Sequence, residues 1–345
     1  TSIKDKIPYM KRMNDKIFAA DNRVTRVNVY LDDKTSYILF YNSDGLLAWD
    51  YRPVILIAGI CIMEDKGTTE NFYVTRSLRM GPDFLTNELV DELSAEVVER
   101  TAKLFSAVRP DAGEMEVVMG AGQSGILLHE AMGHAFEADF NRKNLSIFSD
   151  KLGQKIAEDF VTIIDDGTIP GNRGSLNFDD EGNPTEKTIL VSNGKLSSYL
   201  HDRISSDFYK VPSTGNGRRQ SFRHIPMPRM RSTYMENGPH KKDEIIASVK
   251  KGIYVDYFSN GEVNIGQGDF TFFVKFGYLI ENGKLTRPIK DINVIGNGPQ
   301  ALADIVMVAD DKIIDNGGGM CGKNGQSVPV TMGMPTVKIL KLTVG

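Results

Sequence analysis

The sequence predicts an α+β protein in two parts: an N-terminal α/β domain with an antiparallel sheet over residues 1–110, and a large β-rich C-terminal domain over residues 111–345 built around one chemically loaded helix. Three observations predict it. The apolar pattern changes from helical to alternating and back to helical before residue 107. The cluster Pro110-Asp111-Ala112-Gly113 then interrupts it. Beyond that cluster, short apolar runs ending in turn residues predominate. A length of 345 residues exceeds one ordinary domain and suits two.

In order, residues 1–20 read as a helix, with Ile7, Met10, Met13, Ile17 and Phe18 at helical spacing. Residues 23–75 read as an antiparallel meander. Val27, Val29 and Leu31 alternate with polar neighbours, and runs at 37–41 and 54–63 follow across turn-rich stretches such as Asn42-Ser43-Asp44-Gly45. Residues 83–107 read as an amphipathic helix carrying Leu85, Leu89, Leu93, Val97 and Leu104, with Asp83 as its expected N-cap. After the boundary come a strand at 116–119, the glycine turn Gly120-Ala121-Gly122, and a helix expected over about 124–141. Turns are expected after the short apolar runs that end in Asp166-Gly167, Asn193-Gly194 and Asn282-Gly283. The chain opens on Thr1-Ser2-Ile3 without a Met and reads as a trimmed or renumbered product.

Composition excludes several classes. Hydrophobic residues at 41% and charged residues at 25% give the balance of a folded, water-soluble chain. A net charge of −4 supplies no basic field for nucleic acid or anionic membrane. The longest apolar run, 54–63, is too short to span a bilayer. With only Cys61 and Cys321, a disulfide framework is not expected, and a cytoplasmic, reducing setting fits. Cys61 lies in an apolar strand and reads as core.

The sharpest motif is His129-Glu130-Ala131-Met132-Gly133-His134. Histidines four apart share one face of an α-helix, but five steps at ~100° per residue rotate by ~140° and point them apart. Chelation by both therefore needs a local π-bulge, whose cost Gly133 lowers. A catalytic zinc takes three protein ligands and leaves one position open. Cys321, in a loop with Gly317, Gly318, Gly319 and Gly322 around it, is the candidate third ligand, and Glu130 the candidate general base. Other geometries stay open: Glu130 and His134 are four apart, His134 and Glu137 three apart, and either carboxylate is a possible ligand. The plainer reading has two satisfied core histidines and a buried thiol.

The segments Leu128 to His134 and Glu137-x-Asp139-Phe140-Asn141-Arg142 resemble the TldD side of the TldD/PmbA family. So do Asp165-Asp166-Gly167-Thr168, Thr214-Gly215-Asn216-Gly217-Arg218-Arg219 and Pro226-Met227-Pro228-Arg229-Met230. The C-terminal Cys321-Gly322-Lys323-x-Gly325-Gln326-Ser327-x-Pro329-Val330 and Gly333-x-Pro335-Thr336 extend the likeness, which is dense from about 114 to 345. The resemblance implies a metal-dependent peptidase that trims short or unstructured peptides, of the family once named modulators of DNA gyrase. It implies Zn2+ held by His129, His134 and Cys321, with Glu130 activating a zinc-bound water. It also implies an active-site-enclosing dimer, with a second copy or with a PmbA/TldE-like paralogue that lacks the motif.

Residues 208–235 hold six basic side chains and no acidic one. Asn216, Arg218, Arg219 and His224 are the candidate substrate contacts there, a clamp on peptide carbonyls or carboxylate, against the plainer reading of a solvated basic loop. His201 and His240 have no ligand-like spacing and read as surface or supporting residues. The competing function is a non-catalytic, zinc-stabilised peptide-binding or regulatory subunit of a two-component protease. Structural zinc sites use four protein ligands, however, and only three candidates are found.

Overall fold

The computed structural model describes residues 2–264 and 266–345. Helix α1 (Ile3–Ala20) opens on a cap, with Ser2 Oγ accepting the Lys4 N–H at 3.2 Å. Met13 and Ile17 are its fully buried residues, while Ile7 and Phe18 stay exposed. Three strands then form a meander in the order β1 (Val24–Tyr41), β2 (Leu47–Asp65), β3 (Thr68–Leu78). The two runs expected at 27–31 and 37–41 are one 18-residue strand. Its polar middle does not end it, because Lys6 of α1 pairs with Asp33 and the ladder continues through Asp33↔Ile55 and Lys34↔Val54. At the β1–β2 turn, Asn42 Oδ1 accepts the N–H groups of Asp44 (3.1 Å) and Leu46 (3.0 Å).

Helix α2 (Asn87–Leu104) is capped by Thr86, whose Oγ1 accepts the Leu89 N–H at 3.1 Å. The expected cap, Asp83, lies instead in a 3₁₀ turn, Pro82–Phe84. Leu85 separates the two, since its extended backbone sends its side chain into the core. That core joins Met13, Ile17, Ile57, Cys61, Leu93 and Val97, each fully buried and each contributing roughly 1.5–3 kcal/mol by leaving water. Burial pushes the Cys61 thiol up to about 11, as suits an inert core residue.

A second, larger core and a small third one around Ile245, Val249 and Tyr254 lie in the rest. Strands Lys251–Val263, Gly113–Met119, Val337–Val344, Ile292–Asn297 and Asp269–Glu281 pair in a closed circuit, a barrel. Beside it lies a six-stranded sheet in the order Ile313–Asp315, Thr331–Met334, Ser232–Met235, Ile163–Asp166, Lys187–Ser192, Lys195–Leu196. The turns at Asn193-Gly194 and Asn282-Gly283 have positive φ at both residues, as a two-residue I′ hairpin requires. The motif-bearing helix packs between the barrel and this sheet. The N-terminal sheet reaches the same region from its β3 edge. Ser77 N–H donates to Asn316 O at 2.7 Å, and Thr75 Oγ1 to Gly317 O, which fixes the glycine loop preceding Cys321. No helix among the described residues is long and apolar enough to cross a membrane.

Candidate metal centre

The expected helix over 124–141 is broken into pieces with different hydrogen bonding. Gln123–Gly125 is a 3₁₀ turn, Leu127–Gly133 a π-helix, His134–Phe136 a second 3₁₀ turn, and Ala138–Asn141 a short α-helix. The break falls at Glu137, whose backbone is extended because Ala138 N–H donates to Leu200 O and Leu200 N–H to Phe136 O, each at 2.9 Å. Within the π-helix, the His134 N–H bonds the His129 carbonyl, the i→i+5 bond that brings positions five apart onto one face. Gly133 permits the close approach beneath: a Cβ there would stand 2.2 Å from Met230 Sδ and 2.9 Å from Leu128 O.

The imidazoles of His129 and His134 lie edge to face with centroids 5.2 Å apart. Cys321 joins them, and the three ligand atoms fall within 4.8 Å of one another, all buried. Zinc bonds of about 2.1 Å to nitrogen and 2.3 Å to sulfur give a tetrahedral N···S edge of ~3.6 Å. His134 Nε2 and Cys321 Sγ are 3.6 Å apart. His129 is fully buried with neither ring nitrogen hydrogen-bonded among the described residues, a costly state that a bound cation would relieve. The donor set therefore fits a zinc ion. Cys321 is not in a loop as expected. It sits on strand Met320–Lys323, paired with Gln326–Pro329 across an Asn324-Gly325 turn of positive φ.

Three further side chains, Glu137, Lys323 and Arg229, hold this arrangement. Glu137 Oε2 lies 3.0 Å from His134 Nδ1, which turns Nε2 toward Cys321. Lys323 Nζ donates to Glu137 Oε2 (3.0 Å), Asp139 Oδ1 (2.7 Å) and Pro228 O (3.1 Å). Arg229, fully buried, donates from Nη2 to the Cys321 carbonyl. Burial alone would raise Glu137, but the charges of Lys323 and His134 outweigh it and hold the carboxyl at about 2. Burial would likewise raise the Cys321 thiol, yet His129 and His134 bring it down to about 5. For His134, burial works against the imidazolium, and Glu137 and Cys321 reverse that, leaving it well above the ordinary range. Glu130, beside His129, is half-buried, and its side chain has no hydrogen-bond or ion-pair partner among the described residues.

The basic segment divides. Arg218 is buried and donates to Met230 O and, at 2.7 Å, to Pro329 O. Asn216 donates to Asp165 Oδ2 at 2.8 Å and Arg229 O at 2.9 Å. Arg231 forms a fully buried pair with Asp165, Nε to Oδ2 at 2.8 Å. Arg219 and His224 are only half-buried, on a stretch that Gln220 and Gln326 tie to the Cys321 hairpin at 2.7–3.1 Å. His201 is not at the surface. It is 4% exposed, and burial pulls it down to about 4. Sequence reasoning weighed Glu137 as a ligand but missed its bond to His134. It quoted Lys323 within a motif and counted Arg229 in the basic segment, but foresaw neither the bond of Lys323 to Glu137 nor that of Arg229 to the Cys321 carbonyl.

The barrel and the packed sheet enclose a buried cluster of two histidines from the π-helix segment and one thiol from a strand, the donor set of a metal-binding protein. Comparison with known proteins makes this specific. Residues 1–105 match the model of the PmbA/TldA metallopeptidase central domain, and residues 112–345 that of the C-terminal domain. The Haemophilus influenzae protein named metalloprotease TldD homolog is 43% identical over 95% of this chain and 69% of its own length. An Archaeoglobus fulgidus metalloprotease is 34% identical over all of this chain and 78% of its own. The Saccharolobus solfataricus zinc metalloprotease TldD homolog is 34% identical over 74% of this chain and 57% of its own. The fold superposes on a Thermotoga maritima protein described as a modulator of DNA gyrase, with TM-score 0.84 at 24% identity over all of this chain and 75% of that one. It also superposes on TldE from Thermococcus kodakarensis, with TM-score 0.79 at 20% identity over 98% and 73%. The chain belongs to the PmbA/TldD family and is a metallopeptidase.

Proposed function

We propose that this chain is a zinc-dependent peptidase of short or unfolded peptides, with His129, His134 and Cys321 as metal ligands and Glu130 as general base. The observation that carries the reading is the buried convergence of those three donor atoms to within 4.8 Å, with Glu130 adjacent in the π-helix. A zinc ion held by His129, His134 and Cys321 would supply Lewis acidity for the scissile carbonyl and for an attacking water. Glu130 accepts a proton from the attacking water at a carboxylate oxygen and delivers it to the leaving amine nitrogen. The ligands lie buried between barrel and sheet, so an extended strand reaches them more readily than a folded surface does. Arg219 and His224 line the approach beside the Cys321 hairpin, and Asn216 and Arg218 keep that segment's backbone in place for the peptide. The working form is a dimer with a second copy or a PmbA/TldE-like paralogue, in the cytoplasm.

Elemental zinc on wild type, Cys321→Ser and His134→Ala, combined with peptide hydrolysis by Glu130→Gln, tests this. The expected result is one zinc in wild type, lost in both ligand variants. Glu130→Gln should keep its zinc and lose about 10²–10⁴-fold in kcat. Full zinc in Cys321→Ser would remove Cys321 from the ligand set. A zinc-loaded chain that cleaves nothing with its paralogue present would favour the peptide-binding subunit instead.

A further inference from the structure

We propose that Lys323 is a positioning residue for the metal centre, locking the strand that carries Cys321 to the turn that carries His134 and so setting metal affinity. This rests on the zinc reading above and adds a residue to it. Side chains two apart on a strand project to one face, and in Met320–Lys323 the buried pair is Cys321 and Lys323. The thiol and the ammonium therefore enter the same interior together. The ammonium has three N–H groups, and all three are used, on Glu137, Asp139 and the Pro228 carbonyl. Its side chain is 2% exposed. No donor remains for a peptide or a proton transfer, so the role is to hold and not to react.

What it holds is a closed ring. Lys323 fixes Glu137 Oε2, and that same oxygen fixes His134 Nδ1. His134 Nε2 then faces Cys321 Sγ, and Cys321 returns through the strand to Lys323. The ring joins ligands 187 positions apart in sequence without passing through the ion. Its third leg, to Pro228 O, adds the segment whose Arg229 grips the Cys321 carbonyl. A donor set assembled before the ion arrives binds it more tightly, since the ion need not order two distant segments.

The test is zinc affinity by chelator competition on the full chain, with the cobalt(II) absorption spectrum as a report on ligand geometry. Lys323→Met and Glu137→Gln should each weaken zinc by about 10–100-fold and alter the cobalt bands. Lys323→Arg should recover part of the loss. Asp139→Asn touches Lys323 but not His134, so it should leave affinity within about threefold even where it lowers Tm. A residue that merely stabilised the fold would shift Tm and affinity together across all four. Should Lys323→Met fail to fold, Glu137→Gln decides, because its amide keeps the shape and removes the ion pair. Wild-type affinity and an unchanged cobalt spectrum in Glu137→Gln and Lys323→Met would overturn the proposal and leave the zinc site standing. No zinc binding by wild type would overturn both.

Discussion

Glu181 is half-buried beside Asp179 and Asp202, and burial raises its carboxyl to about 7 against the pull of an N–H from Arg203 at 2.8 Å. The native state thus binds a proton that the unfolded chain has released between the ordinary carboxyl value of 4.5 and about 7. Native stability must fall as pH rises through that window, and the cost is complete only above it. Glu181→Gln keeps an oxygen for the Arg203 N–H and removes the charge. It should raise Tm at pH 8, by about 1–2 kcal/mol of stability once partial exposure is discounted, and leave Tm unchanged near pH 4. An equal gain at both pH values would mean that the effect is packing, not charge. Single residues were legible in the sequence where their chemistry was local. Two histidines five apart and a lone cysteine among glycines stood out, and the structure brings those three together. Lys323 and Arg229 did not stand out, since their partners lie up to 186 positions away and nothing in their spacing announces them.

The π-helix is the element that brings the two histidine donors together, and its closest packing is at Gly133. A methyl group there meets Met230 Sδ, which can swing aside, and Leu128 O, which is backbone and cannot. Gly133→Ala should therefore cost about 1–3 kcal/mol and release zinc at lower chelator concentration than wild type. Unchanged stability and zinc retention would show that the turn relaxes freely. The need for this element was readable from the five-residue spacing alone. The break after it was not, because the extended Glu137 answers to Leu200 and Lys323, contacts that no local pattern encodes. The same contrast runs through the fold. The Asn-Gly hairpins and α2 follow local rules, whereas β1 crosses a polar stretch held by a lysine from α1.

Over the whole molecule, one surface lacks a partner that the described residues could supply. The far half of the β1–β2 ribbon turns Tyr37, Leu39 and Tyr41, cross-paired with Tyr51, Trp49 and Leu47, to solvent, each 44–78% exposed. No charged residue interrupts that face. Its opposite side is engaged, with Phe40 near Phe178 and Arg52 paired to Asp180 at 2.9 Å. Four of the six are aromatic, and at the usual areas of large apolar side chains the six expose roughly 700 Å², close to the ~800 Å² per partner of a stable interface. An apolar face of that size suits a second chain bearing the same face, which supports the dimer proposed above. Wild type should sediment as a dimer. The triple variant Tyr37→Ser, Leu39→Ser, Trp49→Ser should sediment as a monomer with its zinc and circular dichroism unchanged, since none of the three belongs to any of the three cores. If the ribbon also completes the enclosure of the site, peptide hydrolysis falls with the dimer, and added paralogue does not restore it. A triple variant that keeps the wild-type mass would move the interface elsewhere on the molecule, and a monomeric wild type with full activity would remove the enclosing dimer from the mechanism.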